Sequence, residues 1–425
     1  MCNSNNPRPT RRLLANALRA LACLLIFWTC GVPAGEGRIG ALSNFGDPNF
    51  AQAVAKPLNR PASEWREVFR WLQIGDSHTA GDYFTGEIRR ALQARYGDGG
   101  MGWITPGYVK NQRNDVVKLS NAADWKTTRA SRQPGLSSAI PPGGFIGSGG
   151  ETGSGFRITF KNALPRQLMR VSVLQGNAVD APAAAVELQS ESDSARLAQD
   201  LGKAPWEFQS ALLNLGEESL WLKKSESMPG KAPLIGGVHI ERLSPGAIVS
   251  ALGVNGAQID EFLAWDEATF SAYLRKAPPN LVVLAFGTNE TVSEKFAADE
   301  FASKLSQAIR RIRAASPAAI LLVTPTDFRR RSPGRNSRAN ACGTPPANLN
   351  TVIDVLHQVA RQEQTLLWNW KTWAQALGAH CGTSTLAQMH PPLAREDWIH
   401  LTPEGYKASG EMLMQDLLKL SRTIR

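Results

Sequence analysis

Leu281-Val-Val-Leu-Ala-Phe286 is an uninterrupted apolar run, and Ala319-Ile-Leu-Leu-Val323 and Thr365-Leu-Leu-Trp368 repeat the pattern downstream. Runs this short, apolar at every position and rich in branched side chains, predict strands buried on both faces. Between and after them the period changes to that of a helix, giving helices over about 292–315, 348–363, 372–377 and 402–420. Upstream, the run Trp71-Leu-Gln-Ile stops at Gly75, and Phe84, Ile88, Leu92 and Tyr96 then recur at helical intervals, predicting a helix over about 80–96. Strand followed repeatedly by helix predicts an α/β fold, a parallel sheet covered by helices on both faces.

From 103 to 247 the pattern is different. Breaks rich in Gly, Pro and Ser alternate with short strand-like runs at Phe156–Phe160, Met169–Leu174, Ala185–Leu188, Leu220–Leu222 and Gly237–Arg242. Short strands separated by turn residues predict a β-sandwich. Ser77 and Gly256 lie 179 positions apart, far more than one strand and one helix require, so the β-rich stretch reads as an insertion into the α/β unit. The expected organisation is a leader over 1–34, a first part of the α/β unit over 35–102, the insertion over 103–247 and a second part of the α/β unit over 248–425.

The chemistry sits at the ends of the apolar runs. Gly75-Asp76-Ser77-His78 places a hydroxyl where a strand stops, and Asp397-Trp398-Ile399-His400 places a carboxylate three residues before an imidazole. A serine hydroxyl is a weak nucleophile until an imidazole accepts its proton, and that imidazole needs a carboxylate to fix its tautomer. Gly253-Val-Asn-Gly256-Ala and Gly287-Thr-Asn289-Glu290 add a glycine N–H and a side-chain amide, the donors an oxyanion hole uses. Gly253 and Gly256 are both candidates for the backbone donor, with Gly256 preferred. Thr288 and Glu290 read as turn and support residues. His78, adjacent to Ser77, points elsewhere on a strand-to-helix turn and is not the expected base.

In this order the four blocks resemble the SGNH hydrolases, also called GDSL esterases. Gly-Asp-Ser-His followed by Thr79-Ala-Gly-Asp82, the glycine-rich run over 97–102, Gly-Val-Asn-Gly-Ala and Gly-Thr-Asn-Glu together resemble the bacterial peptidoglycan O-acetylesterases. His78 and Glu290 stand where the wider superfamily has Leu and Asp, and both match this narrower branch. The resemblance implies a flavodoxin-like hydrolase fold with an insertion similar to a carbohydrate-binding module. It further implies a triad of Ser77, Asp397 and His400, an oxyanion hole of Ser77, Gly256 and Asn289, and no cofactor. The implied substrate is O-acetylated peptidoglycan or a related glycan. An O-acetyltransferase using the same triad, and a wall-binding protein with a relic site, remain as alternatives.

Composition narrows the setting. Residues 1–34 carry Arg8, Arg11, Arg12 and Arg19 and no acids, ahead of the apolar run 20–28 and the small residues Val32-Pro-Ala34, which reads as an export signal. Left uncut, it would be a short membrane anchor. Removing it lowers the net charge from +10 to +6, 43 basic against 37 acidic residues. A mildly basic exported protein suits an anionic polymer or membrane surface, and no nucleic-acid motif is present. The expected compartment is the periplasm or cell envelope; the oligomeric state is open. Three of the five cysteines lie in the leader, and Cys342 with Cys381 form an even pair that is either one disulfide or two thiols. No Cys-x-x-Cys and no closely spaced His pair suggests a metal site. The Arg-rich loop 329–338 reads as a solvated face, and Trp103, Trp368, Trp370 and Trp373 as core.

Overall fold

A computed structural model describes residues 37–424 apart from 133–138, 152, 163–165, 178–184, 198–203, 217–218, 226–232 and 332–341. The expected leader therefore lies outside the described residues. A seven-stranded sheet forms the centre, in the spatial order Gly37–Ile39, Leu42–Asn44, Leu366–Trp368, Ala319–Val323, Leu281–Ala285, Val68–Gly75, Gly246–Gly253. The five strands from Leu366–Trp368 to Gly246–Gly253 run parallel, and the two short first strands add antiparallel at one edge. Numbered along the chain, the parallel strands lie in the order 2-1-3-4-5, so the direction of winding reverses between Val68–Gly75 and Leu281–Ala285. In open α/β sheets the ligand crevice opens at that reversal, beyond the carboxyl ends of the strands.

Alternate side chains explain why both faces are covered. Phe69, Trp71, Leu281, Val283, Leu321 and Val323 enter one core with the helices Phe84–Tyr96 and Pro403–Thr423. Leu72, Ile74, Val282, Leu284, Ile320 and Leu322 enter the other, against Glu267–Lys276, Ala298–Ala315 and Leu349–Gln362. A strand with apolar residues at every position can satisfy burial only in such a three-layer arrangement.

The β-rich stretch folds as two antiparallel sheets. One has five strands, Val117–Asn121, Gly155–Phe160, Ser219–Lys224, Val186–Gln189 and Ser194–Arg196; the other joins Lys126–Arg129, Phe145–Ser148, Leu234–Arg242, Gln167–Gly176 and Trp206–Leu215, with Gly100–Ile104 pairing to Leu234–Arg242. Phe156, Ile158, Val171, Val173, Leu188, Leu220, Leu222, Val238 and Ile240 fill the layer between them. Strand Gly100–Ile104 spans the boundary expected at residue 102 and pairs with the sandwich strand Leu234–Arg242, and Gly246–Gly253, which spans the one expected at 247, lies wholly in the central sheet.

Two helix starts move. The helix expected from 80 begins at Phe84, after a single turn Ser77–Ala80, because Asp82 adopts φ 46° and breaks the ladder. The Asp82 carboxylate is itself occupied, accepting from Arg89, the Thr85 hydroxyl and the Asp115 N–H. The helix expected from 292 begins at Ala298, behind a 3₁₀ turn Glu290–Val292. Trp103, Trp368, Trp370 and Trp373 are buried, as expected of core residues.

Candidate active site

Strand Val68–Gly75 ends at Asp76, which caps the following turn by accepting from the His78 N–H at 2.9 Å. Ser77 is the first residue of that turn and is only half-buried. Its Oγ lies 2.9 Å from His400 Nε2, and His400 Nδ1 lies 2.8 Å from Asp397 Oδ2. Hydroxyl, imidazole and carboxylate thus form one continuous hydrogen-bonded chain, although 323 positions separate the first two.

The loop bearing the last two is heavily tied. Asp397 Oδ1 accepts from the N–H groups of Ile399 and His400, and Trp398 between them sits at φ 57°. The Trp398 carbonyl accepts from the Arg329 N–H and the Thr383 hydroxyl, and the Ile399 carbonyl from the Thr326 hydroxyl. Thr402 then caps the last helix, its hydroxyl accepting from the Gly405 N–H, with Pro403 as first helical residue. Partial burial opposes the charged form of Asp397. The bonds from the His400 ring and from the two N–H groups outweigh it and hold the carboxyl below the ordinary carboxylate range. A carboxylate kept ionised there fixes the proton on Nδ1 and leaves the Nε2 lone pair facing Ser77.

Cys342 and Cys381 are disulfide-bonded, with Cα atoms 5.0 Å apart. The Ser384 hydroxyl, one residue after Thr383, bonds the carbonyls of both cysteines, so the bridge reaches the catalytic loop through Thr383. Arg329 pairs with Asp327 at 3.0 Å, and the Arg331 guanidinium lies 4.8 Å over the Trp398 ring. Arg335 and Arg338 lie outside the described residues.

The three expected oxyanion donors lie on loops that follow strand ends of the central sheet. The N–H groups of Ser77 and Gly256 donate to no backbone acceptor among the described residues. Gly256 is exposed, has φ 71°, and a Cβ there would meet nothing within 4 Å. Gly253 is different: a Cβ would lie 2.2 Å from the Ala80 nitrogen, so this glycine packs against the nucleophile turn. Asn289 gives one amide hydrogen to the Ala257 carbonyl at 2.8 Å and reaches Asp76 Oδ2 only at 3.5 Å. Its second hydrogen is weakly engaged.

Glu290 joins the two donor loops. Buried, it accepts from the Ile259 N–H at 2.8 Å and the Gly287 N–H at 2.9 Å. Burial, the largest cause, raises its carboxyl to about 7, with Asp76 adding to the rise. Burial likewise raises Asp76 to about 6, against the lowering bonds from His78 and Thr288. Asp76 is the residue that reading by type passed over, since an acid beside a serine looks like an ordinary cap; its place between Ser77 and Asn289 appears only in three dimensions.

His78 does not pair with Ser77. Its Nδ1 lies 2.7 Å from the Tyr406 hydroxyl, its ring packs 5.1 Å from the His400 ring, and burial first, then His400, hold it well below the ordinary histidine value. A neutral imidazole there packs against the His400 ring and adds no charge beside it.

A hydroxyl, an imidazole and a carboxylate bonded in line, with N–H groups on neighbouring strand-end loops, are the groups that acyl transfer uses. The sequence profile of the GDSL-like lipase/acylhydrolase family matches residues 231–408, which contain Gly256, Asn289, Asp397 and His400, and that of the peptidoglycan O-acetylesterase N-terminal region matches residues 99–215. Residues 231–408 thus carry a GDSL-like acylhydrolase domain. A solved peptidoglycan O-acetylesterase, captured in action, is similar to this GDSL hydrolase over 90% of this chain and 100% of its own, with 29% identity and a TM-score of 0.76. Protein YXIM from Bacillus subtilis covers 77% of this chain and 99% of its own at 16% identity and TM-score 0.36. A lipase/acylhydrolase from Enterococcus faecalis covers 41% and 77% at 15% and 0.30. No curated protein matches the sequence. Among the described residues of this hydrolase, no group of acidic, His and Cys side chains is placed to hold a metal, and no helix is long and apolar enough to cross a membrane.

Proposed function

We propose that this protein is a serine esterase that removes O-acetyl groups from peptidoglycan, with Ser77, His400 and Asp397 as the triad and Ser77, Gly256 and Asn289 as the oxyanion hole. The observation that carries the reading is the Ser77–His400–Asp397 chain, with contacts of 2.9 and 2.8 Å; the N–H groups of Ser77 and Gly256, which donate to no backbone acceptor among the described residues, support it. The match to a peptidoglycan O-acetylesterase over nine-tenths of the chain supplies the substrate class.

His400 Nε2 takes the proton from Ser77 Oγ as the oxygen attacks the acetyl carbonyl. Negative charge moves onto the carbonyl oxygen, where the two backbone N–H groups and Asn289 Nδ2 receive it. The His400 imidazolium, steadied by Asp397, returns its proton to the sugar oxygen as the ester bond breaks, leaving acetyl-Ser77. Water, deprotonated by His400, attacks that ester and frees acetate and Ser77. The substrate places the work in the cell envelope, and the leader-like residues 1–34 favour export to the periplasm, with the insertion over 103–247 orienting the glycan.

Acetate release from O-acetylated and chemically deacetylated wall tests the reading. Wild type is expected to release acetate only from the first and Ser77→Ala from neither. A product with acetate newly placed on a second sugar, and little free acetate, would assign the site to transfer instead.

A further inference from the structure

Between the nucleophile turn and the sandwich lies a cavity of about 290 Å³. Ala80, Val109, Val117 and Leu119 give it an apolar lining, and Lys118 and Lys161 stand exposed at its edge. It adjoins the reaction centre by construction, since Ala80 lies three positions after Ser77 in one helical turn, where side chains are about 5–6 Å apart. The wall segment is tied to both halves of the site: the Arg113 N–H donates to the Ala80 carbonyl at 3.1 Å, and Gln112 Nε2 to the Gly253 carbonyl at 2.6 Å.

The charges around this cavity do not balance. Asp82 is taken by Arg89, Glu87 by Arg90, and Asp115 by Arg90 and Arg113. Lys161 donates to the Asn114 carbonyl at 2.7 Å, and neither it nor Lys118 has a carboxylate within ion-pair distance among the described residues. Partial burial, then repulsion from Arg113, holds the Lys161 ammonium below the ordinary lysine value. Two uncompensated cations beside an apolar hollow fit a ligand with a carboxylate next to a small aliphatic group.

We propose that this cavity is a subsite for the acidic peptide arm of the glycan, its carboxylate held by Lys118 and Lys161 and its aliphatic part lying against Val109, Val117 and Leu119, while the acetyl ester of the same chain sits at Ser77. The inference rests on the wall-glycan reading above, because that polymer carries such an arm beside its acetylated sugars. The site thereby selects glycan that has kept its peptides.

The test compares acetate release from soluble O-acetylated glycan fragments with the peptide intact and after amidase removal, for wild type and for the pair Lys118→Gln with Lys161→Gln. Wild type is expected to show a ratio of kcat/KM, intact over stripped, of about tenfold, carried by KM. The Gln pair brings that ratio close to one, and Lys118→Arg with Lys161→Arg keeps it. A wild-type ratio near one, or a ratio undiminished in the Gln pair, overturns the subsite. Hydrolysis of p-nitrophenyl acetate with no acetate from either glycan overturns instead the reading on which the subsite depends.

Discussion

Replacing Glu290 with Gln isolates one buried carboxylate whose effect on stability has a sign fixed by the structure. Glu290 is 4% exposed, and its carboxyl is raised from 4.5 to about 7. A folded-state value above the unfolded one means the folded chain holds the proton more tightly. The contribution is therefore full below about pH 4.5, declines as pH rises through about 7, and is level beyond. A tenfold change in proton affinity is worth about 1.4 kcal/mol, so the whole decline attributable to this group is on the order of 3 kcal/mol. Asp76, raised to about 6, adds a decline of the same sign that ends at lower pH. Glutamine keeps the volume but does not titrate, and its NH₂ must face either the Ile259 or the Gly287 N–H, leaving one buried donor unpaired at a cost of about 1–3 kcal/mol. Urea unfolding at pH 4.5, 5.5, 6.5 and 7.5 reads both effects. The variant should be less stable at pH 4.5 and should lose less on going to pH 7.5, so the two curves converge. Parallel curves across that range would refute the assignment of the raised carboxyl to Glu290.

Asn289→Ala removes one of the three oxyanion donors and should lower kcat on an acetyl ester by about 10²–10³ with KM little changed; steady-state kinetics with circular dichroism to confirm the fold checks it. Gly253→Ala puts a Cβ 2.2 Å from the Ala80 nitrogen and should shift the nucleophile turn, lowering both Tm and activity, whereas Gly256→Ala meets no atom within 4 Å and should cost only about 1–2 kcal/mol for its positive φ. Equal Tm losses in the two would contradict that distinction. Cys342→Ala with Cys381→Ala opens a bridge between residues 39 apart, and thermal unfolding should show a loss of about 2–4 kcal/mol.

Much of this architecture is visible in one sequence because several local signals agree. Leu281–Ala285 and Ala319–Val323 are apolar at every position, a pattern that only a doubly covered strand satisfies. Thr402-Pro403 marks a helix start to the residue, since side chain and ring both act within the first turn. The elements that escaped are those decided by distant partners. Gly37–Ile39 and Leu42–Asn44 are three residues each and exist because the edge of Leu366–Trp368 is there to pair with. In Trp206–Leu215 the exposed Leu212 breaks the alternation that signals a half-buried strand, while its ladder to Gln167–Gly176 runs the full ten residues. Two of the five residues of Gly100–Ile104 are glycine, so the run reads as a turn. The Ser77–His400–Asp397 hydrogen-bonded chain was legible because Asp397 and His400 share one loop and Ser77 follows a strand end. The staple of Glu290 to Ile259, and the hydrogen bond between His78 and Tyr406, join segments whose proximity no local pattern encodes.

Strand Leu234–Arg242 of the sandwich runs, three residues later, into Gly246–Gly253 of the central sheet, and Arg129 of the sandwich holds the Asn255 carbonyl beside Gly256. One of the three proposed oxyanion donors, Gly256, thus sits on a turn braced by the sandwich, while Ser77 and His400 meet within the main body. Opening the sandwich removes that brace from the Asn255–Gly256 turn, whereas the Ser77–His400 contact is made by segments of the central unit alone.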